Sequence, residues 1–345
     1  MEIESIHFHV RDPDRIDDLL IEKMGLPASG WANGITNWYS LGQDLPGLTV
    51  SSPQDPNLLN DYLSLHPPGV QNIAFWVENL DEIRRKVDRM GVKILIDSFT
   101  EDNLPLLKIQ GWGTIEHTII QSPVSSPSNK SRSMIGSNVN NPITGIDHIV
   151  LNVPAGELDA ALIWYRDLFN FQVDQSFIIN TERSGLFSKA LISACGNIRF
   201  NINEPSSPNS QIQEFLDLNR GPGIQHIALH TDRIFETVDR MQRQGLEFLP
   251  IPKTYYTNLK MRDRGWIESL LTSKELQALE QLQILADWSE DAPKSLLMQT
   301  FTKPIFEQPT FFFEIIERRD RAKGFGAGNF QALFEAVEQH HEQMR

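Results

Sequence analysis

Gly69-Val70-Gln71-Asn72-Ile73-Ala74 through Gly91-Val92-Lys93-Ile94-Leu95 lies without a gap over Gly223-Ile224-Gln225-His226-Ile227-Ala228 through Gly245-Leu246-Glu247-Phe248-Leu249. Each copy reads as a strand, an amphipathic helix, a glycine and a second strand. The pattern extends outward to the start of each half, where Ile3-Glu4-Ser5-Ile6-His7-Phe8-His9-Val10 lies over Ile146-Asp147-His148-Ile149-Val150-Leu151-Asn152-Val153. The chain is therefore a duplication. Short alternating strands mixed with helices of ten to fifteen residues predict an α+β fold with open sheets. No Gly-rich strand-to-helix turn stands where a doubly wound nucleotide-binding fold would need one.

A chain of 345 residues is long for a single core, which rarely exceeds roughly 250 to 300 residues, and two units resolve that. The predicted division is an N-terminal domain over 1–122, a linker over 123–142 and a C-terminal domain over 143–345. The stretch beginning Ser122-Pro123-Val124-Ser125-Ser126-Pro127 has too little apolar surface to pack. Phe330, Leu333, Phe334 and Val337 fall at i, i+3, i+4 and i+7 and predict a closing helix over 329–345. With 31 basic and 45 acidic residues the net charge is −14, which argues against nucleic-acid or anionic-membrane partners. A single cysteine, Cys195, excludes an internal disulfide and multi-cysteine metal sites; it reads as a small core residue. The absence of a long apolar run or a basic-apolar leader predicts a cytoplasmic protein.

The copies differ where chemistry could reside. Ser5 stands where the second half has His148, and Asn72 stands where it has His226, so two metal-ligand types are present in one half only. Glu314, between Phe313 and Ile315 in an apolar strand, is a carboxylate that is costly to bury without a cation. Two imidazoles and one carboxylate suit a non-heme Fe(II) oxygenase, and equally a catalytic zinc site. His7 and His9 lack a third ligand and read as structural. The run Gly324-Phe325-Gly326-Ala327-Gly328 lacks the Lys-Ser/Thr of a phosphate loop and reads as a flexible entry to the last helix.

Several further stretches carry a family resemblance: Gly145-Ile146-Asp147-His148-Ile149-Val150, Asn203-Glu204-Pro205, Ser210-Gln211-Ile212-Gln213-Glu214-Phe215, Gly223-Ile224-Gln225-His226, Pro252-Lys253-Thr254-Tyr255-Tyr256, Phe301-Thr302-Lys303-Pro304 and Gly324-Phe325-Gly326-Ala327-Gly328-Asn329-Phe330. From about Gly145 to Asn329 the chain resembles 4-hydroxyphenylpyruvate dioxygenases of the vicinal-oxygen-chelate superfamily. The N-terminal half resembles them only loosely.

The resemblance implies two tandem vicinal-oxygen-chelate domains built from repeated βαβββ modules, the first one degenerate and metal-free. It implies one Fe(II) per chain held by His148, His226 and Glu314. Ser188, Asn203, Gln211, Gln225 and Gln299 would be polar substrate contacts, and Phe301, Phe312, Phe325 and Phe330 an aromatic wall. The implied reaction turns 4-hydroxyphenylpyruvate and O2 into homogentisate and CO2, as in tyrosine breakdown, by oxidative decarboxylation, ring hydroxylation and side-chain migration. A homo-oligomer is also implied. The alternatives are benzylic hydroxylation of the same substrate, as in hydroxymandelate synthase, and a binding protein of the superfamily without turnover. One departure stands out: Asn201 occupies a position two residues before Asn203 where the family usually has proline.

Overall fold

The computed structural model describes residues 1–32, 36–42, 45–52, 61–123, 142–180, 184–263, 267–288, 292, 294–329 and 332. The linker residues 124–141, Phe330 and nearly all of the expected closing helix lie outside the described residues. Four βαβββ modules run in chain order. The first comprises β1 (Glu2–His9), α1 (Pro13–Asp17, continuing as a π-helical turn Asp18–Lys23), β2 (Ala28–Ala32), β3 (Thr36–Ser40) and β4 (Gly47–Ser51). After the short α2 (Asp61–Leu65), the second has β5 (Gly69–Val77), α3 (Leu80–Met90), β6 (Ile94–Phe99), β7 (Pro105–Gln110) and β8 (Glu116–Gln121).

The second half repeats the plan with β9 (Gly145–Asn152), α4 (Leu158–Phe169), β10 (Gln172–Asn180), β11 (Gly185–Ile192) and β12 (Arg199–Pro205). Then come the linking α5 (Gln211–Asn219), β13 (Gly223–His230) and α6 (Ile234–Arg243). An insertion of three helices follows, α7 (Lys253–Asp263), α8 (Ile267–Leu270) and α9 (Ser273–Gln281), before β14 (Leu285–Asp287), β15 (Leu296–Phe301) and β16 (Phe312–Arg319).

The eight-stranded sheets have orders β2-β3-β4-β1-β5-β8-β7-β6 and β10-β11-β12-β9-β13-β16-β15-β14, the same order twice. The matched helices show why the sequence repeat was readable. Asn79 caps α3 by accepting from the Glu82 amide, and the helix buries Leu80, Ile83 and Val87. Its equivalent α6 buries Ile234, Thr237, Val238 and Met241. Both stop at the aligned glycines, Gly91 at φ 64° and Gly245 at φ 84°, in the left-handed region that glycine enters without steric cost.

One hydrophobic cluster extends through both halves. Phe8 of β1 meets Phe311 edge-on at 5.0 Å. The His117 Nε2 lies 3.1 Å from the Tyr165 hydroxyl, and His66 donates from Nδ1 to the Asn219 carbonyl at 2.6 Å. Cys195 departs from the expectation of a core residue. It is exposed in the turn between β11 and β12, where Gly196 takes φ 79° and the thiol reaches the Met1 carbonyl at 3.4 Å. Among the described residues, no helix is long and apolar enough to cross a membrane.

Candidate metal centre

His148, His226 and Glu314 sit on β9, β13 and β16, three adjacent strands in the middle of the second sheet. In register, Ala228 of β13 lies opposite His148 on one side and Glu314 on the other, while His226 lies opposite Val150. The three side chains converge. Both imidazole Nε2 atoms face the same carboxylate oxygen, Glu314 Oε2, at 3.4 Å from His148 and 3.5 Å from His226. All three ligand atoms lie within 4.8 Å of one another, and all three residues are buried. Neighbouring donors on a metal with bonds of about 2.1 Å lie about 3 Å apart, so a small contraction would close the set on a cation. The other carboxylate oxygen, Glu314 Oε1, is buried without a hydrogen-bond partner among the described residues, as a waiting ligand group would be.

The first half answers in the same register. Ser5 lies opposite Ala74 as His148 lies opposite Ala228, and Asn72 occupies the place of His226. Ala74 pairs with Thr118 of β8 as Ala228 pairs with Glu314 of β16. The vacated triad is thus Ser5, Asn72 and Thr118, and the Thr118 hydroxyl donates to Asn72 Oδ1 at 3.0 Å. The third replacement was invisible in the gap-free repeat because β8 follows β5 at a different chain distance from that of β16 after β13. His7, on the same strand, bonds Thr49 from its Nδ1 at 2.8 Å, consistent with a structural part.

The two histidines differ in support. His148 donates from Nδ1 to Asp147 Oδ1 at 2.8 Å, which turns its Nε2, the atom that would ligate a cation, towards Glu314. Consecutive strand residues normally face opposite ways. Here the ladder skips Asp147, with Ile146 paired to Leu229 and His148 to Ala228, so a bulge brings both side chains together. His226 is instead stacked on Phe312 at 4.8 Å and 19°, and its Nδ1 has no partner among the described residues. Burial lowers the pKa of His148, but the facing Glu314 and bonded Asp147 outweigh it and raise the group to about 9 in the metal-free protein. His226 is pushed well below its ordinary value by burial and by the neighbouring His148. Burial would raise Asp147, yet its bonds to Arg318 and His148 hold it well below the usual carboxylate range. Arg318 therefore serves Asp147 rather than Glu314.

The triad opens into a cleft that is continuous with solvent. Ser188, Asn203, Gln211, Gln225 and Gln299 all line it, and so do Phe301, Phe312 and Phe325. Phe330 lies outside the described residues. Ser188 pairs with Asn203 across β11 and β12, and Asn203 lies opposite Asn152, two side-chain steps along β9 from His148. Asn201 faces the same cleft opposite Val150, between those levels, and its Oδ1 is buried without a partner among the described residues.

The glycine run is not the loose entry the sequence suggests. Gly326 takes φ 73°, and a Cβ there would fall 2.1 Å from Gln299 Oε1. Gly328 donates to Asp287, and Asn329 Oδ1 accepts from the Tyr255 hydroxyl at 2.8 Å. The glycines permit backbone to lie directly on the wall of the cleft.

Two half-barrel sheets with a buried His-His-carboxylate group define a metal-dependent member of a known superfamily, and residues 145–265 match the one described as Glyoxalase/Bleomycin resistance protein/Dioxygenase. The 4-hydroxyphenylpyruvate dioxygenase of Caenorhabditis elegans is 34% identical over 310 residues, covering 82% of this chain and 76% of that one. The Legionella pneumophila (strain Corby) enzyme of the same name is 37% identical over 286 residues, 80% and 77% of the two chains. A triple mutant of 4-hydroxymandelate synthase from Streptomyces coelicolor shares the fold with a TM-score of 0.81 at 23% identity, covering 99% of this chain and 98% of that one. The chain belongs to the 4-hydroxyphenylpyruvate dioxygenase family.

Proposed function

We propose that this protein is an Fe(II)-dependent dioxygenase that converts 4-hydroxyphenylpyruvate and O2 to homogentisate and CO2. The observation that carries it is the convergence of His148, His226 and Glu314 at the inner end of a cleft walled by amides and aromatic rings, with the equivalent positions of the first half replaced by Ser5, Asn72 and Thr118. Fe(II) held by these three residues would supply activation of dioxygen and an anchor for the keto acid's oxygens.

The chain's own residues do the rest. Phe301, Phe312 and Phe325 are apolar, so they hold an aromatic ring and exclude water from the reacting end. Ser188, Asn203 and Gln211 also line the cleft and would offer donors and acceptors to a phenol hydroxyl. Gln225 and Gln299 also line the cleft and would orient the keto-acid side chain. One proton-holding group is already set, because His148 keeps Nδ1–H on Asp147 and presents Nε2 as a ligand.

Mixing the protein, Fe(II) and 4-hydroxyphenylpyruvate without oxygen tests the reading. A visible absorption band that needs all three components is the expected result, and its absence at saturating substrate would contradict it.

A further inference from the structure

We infer that Arg318 is a positioning residue that joins the His148 ligand and the loop over the cleft into one unit. This inference rests on the metal reading of His148 and not on the identity of the substrate.

The guanidinium is buried and nearly all of its donors are used. Nε and Nη2 form a fork on the two oxygens of Asp147 at 2.6 and 2.7 Å, while Nη1 donates to the carbonyls of Ala322 at 3.1 Å and Gly324 at 2.7 Å. Asp147 in turn accepts from His148 Nδ1. The residue after Gly324, Phe325, returns to the same imidazole, edge to face at 5.3 Å and 86°. The contacts therefore close a circuit: His148 to Asp147, Asp147 to Arg318, Arg318 to Gly324, and Phe325 back to His148. A planar group with donors on both edges can serve a carboxylate and two carbonyls together, which a lysine ammonium on a single point cannot.

The first half keeps only part of this device. Glu4 occupies the bulge place of Asp147 and accepts from Ser5, the counterpart of His148. Four residues on from Thr118 and Glu314 the chain has Ser122 and Arg318 respectively. The arginine thus occurs in the half that has the metal-ligand group, although a bulged carboxylate is present in both. A residue needed only to fold the module would be expected in both halves.

Three variants test the inference with two readouts that need no turnover: the dissociation constant for Co(II), and amide hydrogen exchange of residues 322–329. Arg318→Lys keeps the charge but not the fork, and should weaken Co(II) binding by roughly 10- to 100-fold, the effect of losing the support of a liganding histidine. It should also speed exchange in 322–329. Asp147→Asn should weaken Co(II) binding to a similar extent with a smaller change in exchange, since Nη1 still holds the loop carbonyls. Arg318→Met should match Arg318→Lys in both readouts. Co(II) affinity within twofold of the natural protein in folded Arg318→Lys or Asp147→Asn would overturn the inference. So would unchanged exchange over 322–329 in Arg318→Lys. A lowered melting temperature with both readouts intact would assign Arg318 to stability alone. Failure of the natural protein to act on 4-hydroxyphenylpyruvate would sink the proposed reaction and leave these two readouts interpretable.

Discussion

His148 and His226 reach one oxygen of Glu314 from unlike surroundings, the first bonded to Asp147 and the second held by stacking on Phe312. Losing either imidazole removes one of three candidate ligands. For His226→Ala the expected fall in metal affinity exceeds the roughly 100-fold that loss of a supporting partner costs. Asn72→Ala, at the same register position in the first half, should leave metal content unchanged because Asn72 is already committed to Thr118. Metal analysis of both purified variants decides the point: equal loss in the two would show that the triad is not the site. At this scale the three candidate ligands were legible, since the duplication sets each histidine against a non-ligand and Glu314 against its apolar neighbours. Asp147 and Arg318 were not. Asp147 reads as the opposite face of the strand until the bulge is seen, and Arg318 lies 171 residues away from it in the chain, so no local pattern joins the two.

Strands and loops carry the next level of the account. The loop after β16 lies so close to β15 that Gly326 has no room for a side chain, and its φ of 73° is one that other residues adopt only at a cost of roughly 1–2 kcal/mol. Gly326→Ala should displace the Gln299 amide from the cleft wall, raising KM for 4-hydroxyphenylpyruvate several-fold while metal content stays the same. Steady-state kinetics with a parallel metal assay would show it, and an unchanged KM would mean that Gln299 does not orient the substrate. The strand, helix and second strand of each repeat were readable from periodicity and from the aligned Gly91 and Gly245, which end equivalent helices, whereas the full βαβββ order was implied only by the family resemblance. The insertion α7–α9 was not readable, because it interrupts only one module and has no counterpart to align with. Cys195 was misread for a related reason: small size and low polarity say core, but a two-strand turn with Gly196 sits at the edge of the layer.

Across the whole molecule, the hydrophobic cluster that runs through both halves places buried imidazoles at their junction. His117, fully buried and 3.1 Å from the Tyr165 hydroxyl, is pushed by burial down to about 3. Its unfolded form binds a proton near pH 6.5, whereas the folded form resists protonation until about pH 3. Stability is therefore fully present above pH 6.5 and is lost as pH falls towards 3, by about 1.4 kcal/mol per pH unit for this group. Urea unfolding at pH 7 and pH 5 should show the loss, and His117→Gln should flatten the slope by that amount. An identical slope in both proteins would mean that His117 is not held neutral.

The claim on which the rest depends is that the triad in the second half supports dioxygenase chemistry on a 4-hydroxyphenyl keto acid. Its most direct test is to identify the product formed from 4-hydroxyphenylpyruvate by the natural protein in air with Fe(II) and ascorbate, using chromatography and mass. The account predicts homogentisate, formed in step with one O2 consumed and one CO2 released. Hydroxymandelate as the main product, or no consumption of oxygen by protein carrying one Fe(II) per chain, would contradict it.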